Sequence, residues 1–245
     1  MEKKVDVWYL GHSGFAIGIA DTLLIFDYYL DQCEGIRALT SGVIVPEEIT
    51  QKKVLVFSSH RHPDHFNPII LSWKEKLPQT EFFLSSDIPK KFYNEWTHVL
   101  KPYQVYENEG LKIQTYKSTD EGVAFLVTLY DITLYHAGDL NWWHWDEESA
   151  DWNNDMAARY KHEVSLIKDI PIDIAFLTAD PRQESAELLG ITYFLEQVET
   201  GVAFPMHFGD DYSIMNRIVA ESDKNLALNK IIAISERGQY FSLTI

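Results

Sequence analysis

One cysteine, Cys33, stands in a chain of 245 residues. An internal disulfide is therefore excluded, and the chain suits a reducing compartment. Positive charge is also scarce: 21 Lys and Arg face 37 Asp and Glu, a formal net charge of -16. That balance speaks against a nucleic acid or an anionic membrane as the main partner. A small anionic substrate is still compatible with it, because a local metal site can override the global field. No apolar run reaches membrane-spanning length, and the opening Met1-Glu2-Lys3-Lys4-Val5-Asp6 lacks the apolar core of a secretory signal. The expectation is a cytoplasmic protein with no membrane partner. Repeats, low-complexity tracts and linkers are missing too, so residues 1–245 read as one domain. Hydrophobic content of 46% and charged content of 24% are those of a globular protein with an ample core.

What the chain does have is nine histidines, three of them packed into residues 60–65. The string Ser58-Ser59-His60-Arg61-His62-Pro63-Asp64-His65-Phe66-Asn67-Pro68 follows an apolar run, Val54-Leu55-Val56-Phe57, that reads as a buried strand. Asn67 and Pro68 have the form of a helix N-cap and first helical position. Side chains two apart on extended chain share a face, so His60, His62 and Asp64 can converge, while His65 reaches a neighbouring position as the chain turns. Imidazole nitrogens with a carboxylate oxygen, and no thiolate, suit Zn, Mn or Fe.

Around this string, strand patterns occupy 5–10, 15–20, 23–26, 82–84, 103–106, 111–116, 123–129, 132–135, 171–177, 231–235 and 239–244. Helical patterns follow Pro68 through about 76, start again at Pro89, and cover 154–168, 184–198 and 210–221. Residues 28–52 are irregular. His98 and His162 have no motif partners and read as structural and solvent-facing. Such alternation is α/β.

His-x-His-x-Asp-His after an apolar strand resembles the metal motif of the metallo-β-lactamase-fold hydrolases. In that family the first two histidines bind one metal, and the Asp and following His bind a second. The resemblance implies those roles for His60 and His62, and for Asp64 and His65. His62 stands where the iron-binding flavoprotein branch carries Glu, which points to the hydrolase branch. Gly11-His12-Ser13-Gly14-Phe15 resembles the opening of the lactonase-like branch, that of the L-ascorbate-6-phosphate lactonase relatives. It implies a place for His12 near the metal mouth, against the reading of a hydrogen-bonded turn histidine. Asp27 ends the third strand, where family members carry an Asp that supports a metal-binding histidine; a turn-capping Asp is the alternative. His136-Ala137-Gly138-Asp139 resembles the Gly-Asp motif whose carboxylate bridges the two metals, and Pro205-Met206-His207 resembles the last metal-binding histidine. His136 itself reads as a supporting or buried residue; Asp180 lies at a strand end, a place open to the rim of the metals, and reads as structural by default.

The sequence departs from the family in one turn. Where a further ligand histidine is usual, Lys117 stands. The first site is then weak, empty, or completed by Asp120 or water, unless Lys117 meets an anionic group of the substrate or is simply a surface lysine. Trp143 and His144 belong to the run Trp142-Trp143-His144-Trp145, which suits a pocket wall or lid, core packing or a subunit interface.

Together these features imply an αββα four-layer sandwich of the metallo-β-lactamase type, one or two divalent ions (Zn, Mn or Fe) and a small-molecule substrate. A metal-bound hydroxide would attack a lactone, an ester or a phosphate ester, with Asp64 as the catalytic residue that orients it or takes its proton. Two other readings stay open. One is a phosphodiesterase or nuclease of the same fold, against which the acidic balance counts. The other is a degenerate, non-catalytic member that keeps a structural or sensing metal.

Overall fold

The computed structural model describes residues 2–245. The chain groups into two compact units, one running to Lys101 and including Ser235–Ile245, the other Pro102–Ile234. Each unit is built on its own sheet.

The first unit carries a seven-stranded sheet. Strands β1 (Lys4–Gly11), β2 (Gly14–Ile19) and β3 (Thr22–Phe26) form an antiparallel meander, and the C-terminal strand Tyr240–Thr244 pairs with β1. From β3 onward pairing turns parallel, through β4 (Lys53–Ser58), β5 (Glu81–Ser85) and β6 (Thr97–Leu100). Tight turns suffice for the meander, whereas parallel neighbours need crossovers. The irregular stretch after Asp27 and the 3-10 helix Pro68–Glu75 supply them. That helix begins as the sequence implies: Asn67 Oδ1 accepts the Ile69 N–H at 3.0 Å. Strand β3 is buried at every position and β4 at all but its first, the pattern of strands covered on both faces. Phe26, Phe57 and Phe83 stack across three strands at centroid distances of 4.5 and 5.0 Å, and each such buried ring contributes about 2–3 kcal/mol.

The second unit repeats the logic with a six-stranded sheet. Strands β7 (Val105–Asn108), β8 (Leu111–Lys117), β9 (Val123–Leu129) and β10 (Ile132–His136) are antiparallel neighbours. Strands β11 (Ile172–Thr178) and β12 (Thr200–Met206) then continue the sheet in parallel from β10. The crossovers contain α1 (Ala150–Ser165) and α2 (Leu189–Gln197), and α3 (Ile214–Ser222) follows β12. Helix α1 starts four residues before the expected 154 because Ser149 provides the cap, its Oγ accepting the Trp152 N–H. The expected apolar stripe of Met156, Tyr160, Val164 and Ile167 is buried, and His162 is exposed.

Three local expectations fail, and one strand goes unread. The helix expected over 184–198 is broken, because Glu184 takes φ 50 and ψ -116 and α2 starts only at Leu189. Residues 231–235 form no strand; Ile231 makes a single bridge to Ala203. Helix α3 starts at Ile214 rather than 210, since the Asp211 carboxylate ties up the Ser213 N–H in a turn. The strand β6 around His98 is absent from the sequence pattern, although His98 is structural as read: it stacks on Phe83 and its Nε2 lies 3.1 Å from Glu81. Among the described residues no helix is long and apolar enough to cross a membrane.

Candidate metal centre

In open α/β sheets, ligand sites form beyond the carboxyl ends of parallel strands. The candidate residues of both units lie there.

In the first unit, Phe26 of β3 pairs with Phe57 of β4, so Asp27 and Ser59 emerge side by side. The Asp27 N–H donates to Phe57 O at 2.9 Å. Asp27 is fully buried and sits in the left-handed region, φ 44. Its Oδ1 accepts the Ser59 N–H at 2.7 Å, and its Oδ2 accepts the Ser59 hydroxyl at 2.6 Å. The same Oδ2 lies 2.8 Å from His65 Nδ1. A carboxylate only accepts, so His65 donates from Nδ1 and keeps its lone pair on Nε2. Asp27 therefore supports a candidate ligand histidine, as the resemblance implies. His60 is also fully buried, with Nδ1 3.0 Å from Ser59 Oγ and Nε2 3.0 Å from His62 Nδ1. The His60 and His65 rings lie 4.0 Å apart. Asp64 is half exposed, with Oδ2 3.4 Å from His12 Nε2. His12, at φ 51, meets the His65 ring edge-on at 5.3 Å, so the turn histidine belongs to this cluster.

In the second unit, the register sets His136 opposite Phe176 and Thr178 opposite Met206. Asp139, Asp180 and His207 thus follow three adjacent parallel strands. Gly138 turns the chain at φ 53, its N–H donating to His136 Nδ1 at 3.2 Å and its carbonyl accepting the Thr178 hydroxyl at 2.9 Å. His136 is buried against Phe176 and braces this turn. His207, at φ 70, has Nδ1 3.0 Å from Asp180 Oδ2 and Nε2 3.2 Å from Asp139 Oδ1. Burial alone would lower the pKa of this imidazole, but the Asp139 and Asp180 carboxylates outweigh it and raise it to about 10. Burial would likewise raise Asp180, yet its bonds to His207 and Arg182 hold it well below the carboxylate range. Asp180, read from sequence as structural, is the supporting carboxylate of His207. The only signal for it was its place at a strand end, just before Pro181. Three candidate residues, His12, Asp27 and His207, hold left-handed backbone without being glycine, as do Ala20, Tyr103, Tyr130, Asp131 and Glu184 elsewhere.

The remaining candidates fare differently. Lys117 is exposed, and its backbone N–H donates to the buried Glu163 carboxylate at 3.2 Å. Asp120 is exposed, and its backbone N–H donates to Ser118 Oγ. Thr119 between them ties this turn to the Asp139 loop, its hydroxyl donating to Asn141 O at 2.7 Å. Trp143 is buried, donates from Nε1 to Asp139 O at 3.1 Å and meets the His207 ring edge-on at 5.6 Å. It packs the Asp139 loop. His144 is half-exposed, with Nε2 4.0 Å from Asp146. Trp142, capped by Lys161 at 4.1 Å, lines a cavity of about 440 Å³ with Tyr193, Leu189, Glu184 and Arg217.

These donors fit a divalent ion. With metal–nitrogen bonds of about 2.0–2.1 Å, two ligand atoms on one ion lie roughly 3 Å apart. The His60–His62 pair at 3.0 Å and the His207–Asp139 pair at 3.2 Å have that spacing. Nitrogen and carboxylate oxygen without thiolate suit Zn, Mn or Fe.

A family model described as the beta-lactamase superfamily domain matches residues 6–151. The chain belongs to that superfamily. No curated protein sequence matches it. Among solved structures it is similar to Igni18, a metallo hydrolase from the archaeon Ignicoccus hospitalis, at 17% identity and TM-score 0.67 over 98% of each chain. It is also similar to an isothiocyanate hydrolase from Delia radicum gut bacteria, at 17% identity and TM-score 0.60, covering 96% of this chain and 98% of that one. A third likeness is to CmlA, a diiron β-hydroxylase from Streptomyces venezuelae, at 12% identity and TM-score 0.61, covering 100% of this chain but 54% of that one. At such identities the likeness establishes the fold, the metallo-β-lactamase α/β sandwich that the motif implies. A hydroxylase beside hydrolases shows that this fold alone does not fix the reaction.

Proposed function

We propose that the protein is a metal-dependent hydrolase of the lactonase-like branch, acting on a small-molecule lactone, ester or phosphate ester. The candidate ligands for one or two divalent ions are, in the first unit, His60, His62, Asp64 and His65, and, in the second unit taken by itself, Asp139 and His207. The observation that carries this reading occurs once in each unit. A buried carboxylate holds Nδ1 of a histidine, Asp27 on His65 and Asp180 on His207. That contact fixes the ring and raises the basicity of Nε2 as a metal donor.

Divalent ions bound there supply acidity, lowering the pKa of water from about 15.7 to about 7, and positive charge for a developing oxyanion. Asp64, half exposed beside His12, orients the attacking water or takes its proton. Trp143 packs against the His207 ring at 5.6 Å and helps to hold it in place. The acidic balance favours a small substrate over a nucleic acid, and the single cysteine favours the cytoplasm.

One observation favours a second reading. Lys117, where a ligand is usual in the family, is exposed and offers no imidazole, which suits a single-ion, non-catalytic member. Elemental analysis of the purified protein, followed by a panel of lactones, esters, phosphodiesters and RNA with Zn or Mn added, separates the two. Under the hydrolase reading, His65→Ala and Asp139→Ala each lose bound ion and turnover together, whereas retention of both by either variant rejects the ligand assignment. One firmly held ion with no turnover on any substrate establishes the second reading, and turnover of RNA alone a nuclease.

A further inference from the structure

We infer that Ser59 is a positioning residue that relays the Asp27 carboxylate to His60, so that one buried acid sets the tautomer of two histidines. Only the consequence for metal affinity rests on the proposed hydrolase reading; the relay itself does not.

The proton count forces the relay. Ser59 is fully buried and grips Asp27 twice, through its backbone N–H on Oδ1 at 2.7 Å and its hydroxyl on Oδ2 at 2.6 Å. A serine hydroxyl has one proton, and an ionised carboxylate can only accept. The Ser59 proton is therefore committed to Asp27, leaving oxygen lone pairs for the contact with His60 Nδ1 at 3.0 Å. His60 is then the donor from Nδ1, and in its neutral form the ring is bare on Nε2. The Nε2 lone pair faces His62 Nδ1 at 3.0 Å, where a metal donor is wanted. His65 reaches the same state directly, with Nδ1 2.8 Å from Asp27 Oδ2.

Two neighbouring rings thus take instruction from one carboxylate by different routes, His65 in one step and His60 in two. Removing the hydroxyl cuts only the longer route. With alanine at 59, a proton on His60 Nδ1 would face a methyl group, and the ring gains by moving it to Nε2 and donating to His62. An Nε2–H imidazole cannot ligate through that atom.

The test reads tautomers in the metal-free, full-length protein carrying 15N-histidine, by long-range 1H–15N correlation of the imidazoles. Wild-type protein is expected to show Nδ1–H for both His60 and His65. Ser59→Ala moves His60 to Nε2–H and leaves His65 unchanged, the unchanged His65 signal also certifying the fold. Ser59→Thr keeps the hydroxyl and the wild-type pattern. An Nε2–H His60 in the wild type overturns the relay even if Ser59→Ala does not fold, and so does an unshifted His60 in Ser59→Ala. A second arm titrates zinc against a chelating dye. Ser59→Ala is expected to bind about 10–100-fold more weakly, with Ser59→Thr restoring affinity. Equal zinc affinity in wild type and Ser59→Ala overturns the link from tautomer to ligand strength. Wild-type protein that takes up no zinc overturns the metal-centre reading and leaves the tautomer result standing.

Discussion

The two units solve one chemical problem with opposite economies of charge. In the first, a single carboxylate serves several donors: Asp27, fully buried, accepts from the Ser59 backbone, the Ser59 hydroxyl and His65. In the second, a single imidazole is shared by two carboxylates, His207 between Asp139 and Asp180. Asp180 also reaches the surface through Arg182, whose Nε lies 3.0 Å from its Oδ1. The first arrangement is closed and its cost falls on the fold if broken. The second is charged at its centre, where a proton sits on His207 when no other cation does, so its cost falls on cation binding. Buried networks are worth most when every member is satisfied, and an acid with three donors is harder to replace than one with an outlet to solvent.

The largest effect expected from this contrast is on Asp27→Ala. It leaves the Ser59 N–H, the Ser59 hydroxyl and the His65 Nδ1–H without their acceptor in a site closed to water. At about 1–3 kcal/mol for each stranded donor, less what rearrangement recovers, a loss of roughly 3–5 kcal/mol is expected. Urea unfolding of metal-free protein measures it. A loss below about 1 kcal/mol would mean that water enters freely and that the first unit is not closed in this sense.

The contrast also explains what the sequence disclosed. In the first unit the donors are contiguous: His60 to His65 lie on one strand end and the turn after it, so spacing alone announces them. Asp27 is distant in the chain, yet it follows an apolar strand at a position that the family resemblance marks. In the second unit the donors come from three strand ends, and only strand adjacency joins them. Asp139 and His207 were legible through short motifs. Asp180 was not, because an Asp before Pro reads as a helix cap, and Asp180 does cap, accepting the Arg182 N–H at 2.9 Å. Its second bond, to His207, spans 27 residues and leaves no local trace. The broken helix at Glu184 escaped for a related reason. Apolar periodicity runs through 184–198, but a residue forced to φ 50 interrupts it without a glycine or proline to announce the break.

The next effect in size belongs to Asp180→Asn. The amide keeps the shape and can still accept from His207 Nδ1, but a charged acceptor becomes a neutral one, so the metal-free protein should lose about 1–3 kcal/mol. Loss of the negative charge makes Nε2 a poorer donor, and zinc affinity should fall about 10–100-fold. The control is Arg182→Ala. The Arg182 side chain is 68% exposed, and its removal should leave zinc affinity unchanged within about twofold, as exposed ion pairs contribute little. Equal losses in Asp180→Asn and Arg182→Ala would show that the surface pair, and not the buried carboxylate, tunes His207.

The smallest effect tests how the second unit keeps its Asp139 loop in place. That loop is held at Asn141, whose N–H donates to the Thr119 hydroxyl at 3.0 Å and whose Nδ2 donates to Gln183 Oε1 at 2.7 Å. Asn141 is nearly fully buried against Gly190, at the start of α2, where an added Cβ would come within 1.9 Å of Asn141 Oδ1. Helix propensity favours alanine over glycine by about 1 kcal/mol in a helix interior, so an unhindered Gly190→Ala would stabilise the protein. The overlap here is with a side chain pinned at both ends, and it should turn that gain into a net loss of about 1–2 kcal/mol. The His207 imidazole shifts in the 15N spectrum should move with the Asp139 loop. A stabilised Gly190→Ala protein would mean that Asn141 yields easily, and that the Asp139 loop draws its rigidity from the Thr119 and Trp143 contacts instead.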